Sequence, residues 1–576
     1  MTEMLARPIA PRRLADDRAA SRATAQKRLM IMMLLYGAAI GVVLAKLTFF
    51  AVSTGSATAS TMPRSVLRGD IVDRNGEPLA RTIDAWAIGV HPEQILGDRK
   101  EIATRLASIL GLPQDQIYAK LVSKNFSYLE RDASASLVTQ VNAIGEPALV
   151  FEREQQRLYP QSELGAQVLG FLDVNGKGAS GMERALDTRL TDPNAAAQPV
   201  ALSIDARAQS ALENELGKQV VDFKAKGGAG VVVDVQTGEI MALASFPTFN
   251  PNDPGKAPPP AKTADGKEIP GPFFNRVTSA AYELGSTFKP ITMAAAIDSG
   301  TVSSMAKRFD ATAPLSIDGF KIHDHDGQNR WLDIPETLIH SSNIATARIA
   351  DEMGGAKLEA MFRAMGFDKP MPFELPARGR TLFPAKFSRV TTMTAGFGHG
   401  IAVTPLHLAA AYAALVNGGV WRPVTMMKVE PGANVPGRRV ISEATSARMR
   451  QLLRLVVTQG TGKNADVPGF RVGGKTGTAE VATGRGYLKN TNVSTFAAAF
   501  PMDQPRYVVI VMLDSPVGGV TTAAYTAAPV VSRFIQRAGP LLGVVPDTSR
   551  DIDVSDLLPL IWRRPGENPL NMADPQ

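Results

Sequence analysis

Three short polar groups, far apart and in one order, constrain this chain more than anything else in it. They are Ser286-Thr287-Phe288-Lys289, Ser341-Ser342-Asn343 and Lys475-Thr476-Gly477-Thr478. The first two begin 55 positions apart and the third begins 134 further on. Together they read as S-x-x-K, S-x-N and K-T-G, a set that builds a serine acyl-transfer site if the fold gathers all three. Each piece alone is weak: Ser304-Met305-Ala306-Lys307 is a second S-x-x-K and Ser123-Lys124-Asn125 a second S-x-N. Only the trio from Ser286 onward runs in order at plausible separations.

A serine hydroxyl is a poor nucleophile at neutral pH and needs a base within reach. Ser286 and Lys289 stand three apart, which places them on one face of a helix. Gly285 allows a tight turn before the pair. Pro290 fits only if the helix has just begun, where backbone N–H groups lack an intrahelical partner. Ser286 is then expected at the positive end of the helix, where developing oxyanion charge is favoured. Lys289 can act as a base only if its pKa is pulled well below about 10.4, by burial and by a second cation. Lys475 is that second cation. Ser341 offers a hydroxyl to relay a proton to the leaving group, and Asn343 an amide to hold Lys289 and a substrate carbonyl. The stretch from Gly473 to Thr478 reads as an edge strand. Gly477 permits close approach of a substrate backbone, and Thr476 and Thr478 supply hydroxyls for a carboxylate. The backbone N–H groups of Ser286 and Thr478 are the expected oxyanion hole.

A chain of 576 residues exceeds one core and predicts at least two domains, and 44% apolar content allows them ample burial. The net charge is +7, but Met1 to Arg28 holds seven Lys/Arg against three acids, so the remainder is only mildly basic and gives no case for nucleic acid. Cysteine is absent, which removes disulfides and Cys-based metal sites. No metal or organic cofactor is expected. His323-Asp324-His325-Asp326 lacks a supporting ligand pattern and reads as a polar loop.

Leu29 to Val52 is almost wholly apolar, broken only by Lys46 and Thr48. As a helix it spans roughly 36 Å, enough to cross a bilayer. Lys46 can snorkel to the interface. The basic tail before it predicts a cytoplasmic N-terminus and an external bulk. A cleaved signal peptide competes, with Ala57-Thr58-Ala59 as its site, but the run is longer than a signal h-region and that site lies past its end.

These features divide the chain into a basic tail (1–28), a transmembrane helix (29–52), a linker (53–63), a non-catalytic pedestal (64–200), a catalytic domain (201–543) and a disordered tail (544–576). Helical patterns run from Lys100 to Leu110, Ala206 to Val221, Val403 to Val416 and Ala528 to Ala538. Gly230 to Val235 and Ile240 to Ser245 form a hairpin around Gln236-Thr237-Gly238-Glu239, and Tyr507 to Asp514 is a further strand. Asn250 to Pro272 is a loop rich in Pro, Gly and Lys. Antiparallel strands with helices on both faces predict an α+β domain. In the tail, Leu557 to Trp562 is an isolated apolar patch that either docks or has no role.

At the trio the chain resembles the penicillin-binding proteins, serine D,D-transpeptidases. The likeness runs from about Arg68 to Phe534. Arg68-Gly69-Asp70, Arg157-Leu158-Tyr159-Pro160 and Gly178-Ala179-Ser180-Gly181-Met182-Glu183 resemble motifs of the non-catalytic domain of the class B members. Val233 to Ala242 resembles the first catalytic hairpin, and Gly396-Phe397-Gly398-His399-Gly400 a late turn before a helix. Tyr282-Glu283-Leu284-Gly285 and Ser341-Ser342-Asn343 are similar to the cell-division branch, although Leu284 stands where that branch has proline.

The resemblance implies an elongated, dimerisation-like pedestal and a transpeptidase domain like that of serine β-lactamases, with an added all-helical lobe. It also implies septal cross-linking of D-Ala-D-Ala stem peptides through an acyl-enzyme on Ser286, trapping by β-lactams, and an inner-membrane location with a periplasmic catalytic domain. No glycan polymerisation is expected from this chain, so the implied partner is a polytopic membrane glycosyltransferase, with other divisome proteins. Four alternatives stand beside it. An elongation-type class B transpeptidase shares the chemistry. A β-lactamase needs a deacylating base, and Glu374-Leu375-Pro376 lacks the Asn that would help hold its water. A β-lactam sensor needs further membrane spans and a zinc motif. A non-catalytic scaffold has no use for an intact trio.

Overall fold

The computed structural model describes residues 12–54, 68–262, 266, 268–483 and 486–562. Beyond Thr54 the expected linker, like the last fourteen residues, lies outside them.

Helix α1 (Arg12–Thr54) begins inside the basic tail rather than at Leu29. Its stretch Gln26–Lys46 has a mean hydropathy of 2.1 and is wholly unburied by protein. Those 21 residues rise about 31 Å, close to the thickness of a bilayer core. The helix is long and apolar enough to cross a membrane.

The chain from Leu67 onward forms a separate compact unit. Its first part is built on β1 (Ile71–Val72), the long β2 (Pro78–Val90), β3 (Ser127–Ala133), β4 (Leu149–Leu158) and β5 (Val200–Ala201). Strand β2 pairs antiparallel with β1, β3 and β4, and β1 runs parallel to β5. Helices α2 (Arg99–Leu110), α3 (Gln114–Leu121) and α4 (Ala135–Asn142) complete it, and a small core of Ile88, Val90, Ile102, Leu106, Ile117 and Leu121 fills its outer half. Asp98 caps α2 with its carboxylate on the N–H groups of Lys100 and Glu101, and Gly111 closes it in the left-handed conformation.

At its inner half the three pedestal motifs meet on one buried carboxylate. Glu183, with no exposed surface, accepts from Arg68 Nε at 2.6 Å and Arg157 Nε at 2.7 Å, and Arg68 also reaches Asp187 at 2.8 Å. Nearby, Ile71, Leu79, Tyr159, Val168 and Met182 belong to the same apolar core as the catalytic helices. The expected boundary at 200/201 therefore falls between chain segments that share one core.

The catalytic sheet has the order β8-β9-β10-β6-β7 and is antiparallel throughout, from β6 (Gly227–Asp234), β7 (Ile240–Phe246), β8 (Gly473–Thr483), β9 (Gly486–Phe500) and β10 (Tyr507–Asp514). Both faces are covered, which is why β6 and β10 read as unbroken apolar runs rather than as alternation. Val231, Val233, Val508 and Ile510 point into the core of the helical lobe, and Val232, Val509 and Val511 into a second core. That second core is closed by α5 (Ala206–Asp222) and, at the end of the domain, by Val530, Val531 and Phe534. The lobe comprises α6 (Lys289–Asp298), α7 (Ile334–Ile339), α8 (Asn343–Met353), α9 (Gly355–Ala364), α10 (Arg389–Gly396), α11 (Pro405–Val416) and α12 (Glu443–Gln459). The closing helix of the second core is α13 (Ala527–Ala538).

The tail expected to be disordered over 544–576 is ordered as far as Trp562. Val544 is buried, Leu557 has no exposed surface, and Ile552, Val554, Leu558, Leu560 and Ile561 pack on the core of the helical lobe. Between them Asp551 and Asp556 pair with Arg454 and Arg448 of α12. Apolar residues spaced among acids meet an apolar, basic helix face, and a polar composition alone conceals that match.

Candidate active site

Ser286 sits in a 3-10 turn (Gly285–Phe288) that runs directly into α6, with Pro290 in the first helical turn. Gly285 turns the chain at φ +53°. Tyr412 of α11, fully buried, donates its hydroxyl to the Thr287 carbonyl at 2.8 Å and fixes the turn from below. Gly477 of β8 runs against the same turn so closely that a Cβ there would stand 2.4 Å from the Leu284 carbonyl oxygen. A Cβ on Gly398, at φ +87°, would stand 2.2 Å from the Gly285 carbonyl oxygen. Bare backbone on two sides thus brings β8 and the turn after α10 into contact with the nucleophile's loop.

The second motif follows α7. Asp333 and Glu336 form a capping box at the start of that helix. Ser341, just past its end, has φ +57°, a conformation that costs a non-glycine residue about 1–3 kcal/mol and persists where neighbours impose it. The imposing neighbours are the two lysines. Lys289 Nζ donates to the Ser341 carbonyl and lies 3.1 Å from its Oγ. Lys475 Nζ lies 2.9 Å from the same Oγ and 3.1 Å from the Thr476 carbonyl. Both lysines have no exposed surface.

Burial, then the neighbouring Lys475 charge, holds Lys289 well below the ordinary lysine value, while Asp324 pulls the other way. Burial pushes Lys475 down to about 7. Burial and the Lys475 charge both favour the unprotonated amine at Lys289. The Ser341 hydroxyl can donate to it while accepting from Lys475, so the three groups form a continuous proton path.

Ser286 is half-buried and its hydroxyl bonds to none of the described residues. Asn343 is placed differently from expectation: its amide N–H goes to the His323 carbonyl at 2.8 Å, not to Lys289. The side-chain oxygen is the atom that could accept from Lys289, and no such bond forms among the described residues. Thr476 is largely buried, with its hydroxyl 2.8 Å from that of Thr461 and 3.3 Å from Lys475 Nζ. Thr478, more open, accepts the Ala523 N–H at 3.2 Å.

Sequence reasoning missed Asp324. Its carboxylate accepts from the Ser342 hydroxyl at 2.7 Å and from the Ile344 N–H at 2.9 Å, clamping the second motif to the start of α8. The loop read as merely polar thus carries a structural role, and only the acid's recurrence in His323-Asp324-His325-Asp326 hinted at it. Glu283 and Tyr487 were also missed. Burial raises the Glu283 carboxyl, which accepts from Tyr487 at 3.1 Å and from the Gly400 N–H at 3.2 Å. Tyr487, on the β8–β9 hairpin, is pushed up to about 12 by burial and by that carboxylate. Its ring lies 5.8 Å from that of His399, whose imidazole burial holds below its ordinary pKa.

An edge strand of an antiparallel sheet delivers one lysine, a helix start delivers the other, and both close on a serine from the helical lobe. That is the architecture of a penicillin-recognising serine acyltransferase. Comparison with known proteins narrows it. Residues 228–536 match the penicillin binding protein transpeptidase domain, and residues 63–194 the penicillin-binding protein dimerisation domain. The chain is 40% identical to the probable peptidoglycan D,D-transpeptidase FtsI of Caulobacter vibrioides, across 83% of this chain and 82% of that protein. It is 30% identical to the peptidoglycan D,D-transpeptidase FtsI of Escherichia coli K12, across 84% and 85%. The crystal structure of penicillin binding protein 3 from Mycobacterium tuberculosis complexed with aztreonam superposes with a TM-score of 0.64 at 25% identity, covering 85% of this chain and 99% of that one. The chain belongs to the class B penicillin-binding proteins, the serine-type D,D-transpeptidases with a dimerisation-like domain ahead of the catalytic one.

Proposed function

We propose that this protein cross-links septal peptidoglycan. Ser286 Oγ attacks the carbonyl of the penultimate D-alanine of a stem peptide while Lys289, as free amine, takes its proton. The backbone N–H groups of Ser286 and Thr478 receive the oxyanion. Ser341 passes a proton to the departing D-alanine amine, Lys475 orients that hydroxyl, and Asn343 with Thr476, Gly477 and Thr478 lines the donor's path. An amine of a neighbouring stem then takes the acyl group from Ser286. A β-lactam presents the same carbonyl in a ring and leaves Ser286 acylated. The observation that carries this reading is the meeting of Lys289 and Lys475 on the Ser341 hydroxyl, at 3.1 and 2.9 Å.

The β-lactamase alternative loses its base: Glu374 accepts from the Thr425 hydroxyl and, at 2.9 Å, from the Met426 N–H, a bracing role beside β7. The basic N-terminal tail supports a cytoplasmic N-terminus and a periplasmic catalytic domain. Division proteins, including a polytopic glycosyltransferase, are the expected partners; relatives named for division transpeptidases favour the septal role over elongation.

Mass spectrometry of the purified protein is expected to show one added penicillin, held for many minutes and absent from Ser286→Ala. Release within seconds would overturn the transpeptidase reading in favour of a β-lactamase. A fluorescent fusion is expected to gather at midcell, and an even side-wall signal would favour elongation.

A further inference from the structure

The matched transpeptidase domain stops at residue 536, yet the chain continues and packs back on the helical lobe. From Val544 it runs along α12. Asp551 accepts a bidentate pair from Arg454, at 2.8 Å from Nε and 2.6 Å from Nη2. The Asp553 carbonyl accepts from Gln451 at 2.6 Å, and Asp556 from Arg448 at 2.6 Å. These three α12 residues recur every third position, so the segment tracks one helical face. Leu557 then plugs into the core of the lobe. At the far end the Trp562 N–H donates to Glu336 Oε1 at 2.8 Å, and its ring lies under the Arg330 guanidinium at 5.1 Å.

Both ends of this segment touch residues that carry catalytic motifs. Arg454, gripped by Asp551, spends its remaining nitrogen on Asp466 at 2.7 Å and on the Val472 carbonyl at 2.8 Å, immediately before β8 and Lys475. Glu336, gripped by Trp562 and by Arg330 at 2.7 Å, is the capping-box residue of α7. Ser341 follows just past the end of that helix; its N–H is held by the Leu338 carbonyl at 3.2 Å, while the Ser342 N–H is held by that of Thr337 at 3.0 Å. Asn343 stands seven positions after Glu336, the partner of Trp562.

We propose that residues 551–562 form a C-terminal strap that positions Ser341 relative to Lys475, with Asp551 and Trp562 as its positioning residues. The strap fixes the start of α7 and the approach to β8 at once, and so sets the spacing on which the shared proton path depends. Ser341 is held in an unfavourable backbone conformation, so an unbraced α7 has a lower-energy alternative to relax into. Relaxation also admits water to Lys289, which weakens the desolvation that lowers its proton affinity. The inference rests on the proton path proposed above.

The test uses the full chain in detergent micelles, with a fluorescent penicillin as probe and rates expressed per titratable Ser286. A chain ending at Ser549 is expected to acylate about tenfold more slowly, as small misplacements of reacting groups do. Its acidic half-point of the pH–rate profile is expected to move upward by roughly half a unit as Lys289 rehydrates. Trp562→Ala shifts both in the same direction by less, and Trp562→Phe, which keeps a ring under Arg330, restores them. Melting temperature is followed in parallel. If the strap only supports folding, the titratable fraction drops while the per-site rate and half-point stay put, and that result overturns the proposal. Rates within twofold of the parent in both the shortened chain and Trp562→Ala overturn it too. Failure of the unaltered protein to form any Ser286 adduct sinks the transpeptidase reading and the strap with it.

Discussion

The residues of the site trade stability for chemistry. Lys475 titrates near 7 in the folded protein and near 10.4 in an unfolded chain. Between those values the unfolded chain binds the extra proton, so folding stability rises as pH climbs from 7 to 10 and levels off above. Lys475→Met, which removes that buried ammonium, is expected to raise the melting temperature by several degrees at pH 6 while acylation is lost. Calorimetry on both proteins across that range checks the sign. Lys289→Ala is expected to slow acylation about 10²–10⁴-fold, the usual worth of a positioned base. Asp324 raises the proton affinity of Lys289, so Asp324→Asn is expected to move the acidic limb of the acylation profile to lower pH. The same change weakens a charged bond to the Ile344 N–H and lowers stability by about 1–2 kcal/mol, read from denaturant midpoints. That Ser286 and Lys289 stand together at a helix start was legible in the sequence from the S-x-x-K spacing and Pro290. The partner of Asn343 was not, since a backbone carbonyl 20 positions away leaves no mark on composition.

Among elements, the edge strand β8 is the most exacting. Gly477→Ala would set a methyl 2.4 Å from the Leu284 carbonyl and 2.7 Å from Thr287 Cγ2, so strand and turn must part. The expected result is loss of penicillin labelling with about 1–3 kcal/mol of destabilisation, compared against Gly519→Ala, where a Cβ meets nothing within 4 Å. Strands β6, β7 and β10 and helix α11 were legible because burial on both sides demands continuous apolar runs. The pedestal motifs were legible only as a likeness: nothing in Arg68, Arg157 and Glu183 taken separately says that they converge. Glu183→Ala would strand two guanidinium groups in a buried site and is expected to cost about 3–5 kcal/mol. Loss of the Arg68–Glu183 bond also frees Arg68 from the unit, so proteolysis should begin there.

At the scale of the whole molecule, the anchor and the enzyme are separable. Residues from Leu67 onward have their own cores and capped helices, so a protein lacking residues 1–54 is expected to stay dispersed without detergent and to acylate at the parent rate. Ultracentrifugation and penicillin labelling report on the two halves of that expectation. The anchor was the easiest part to read, since the apolar run from Leu29 to Ala45 lies unbroken within one helix. The tail was the hardest, because hydrogen bonds from residues 551–562 reach residues 97 to 226 positions earlier. One feature of the unit bears on how it works in an envelope. Ile71, Tyr159 and Met182 sit in the same oil as the catalytic helices, so bending at that joint would open the core to water. The position of Ser286 is therefore expected to follow that of the inner pedestal.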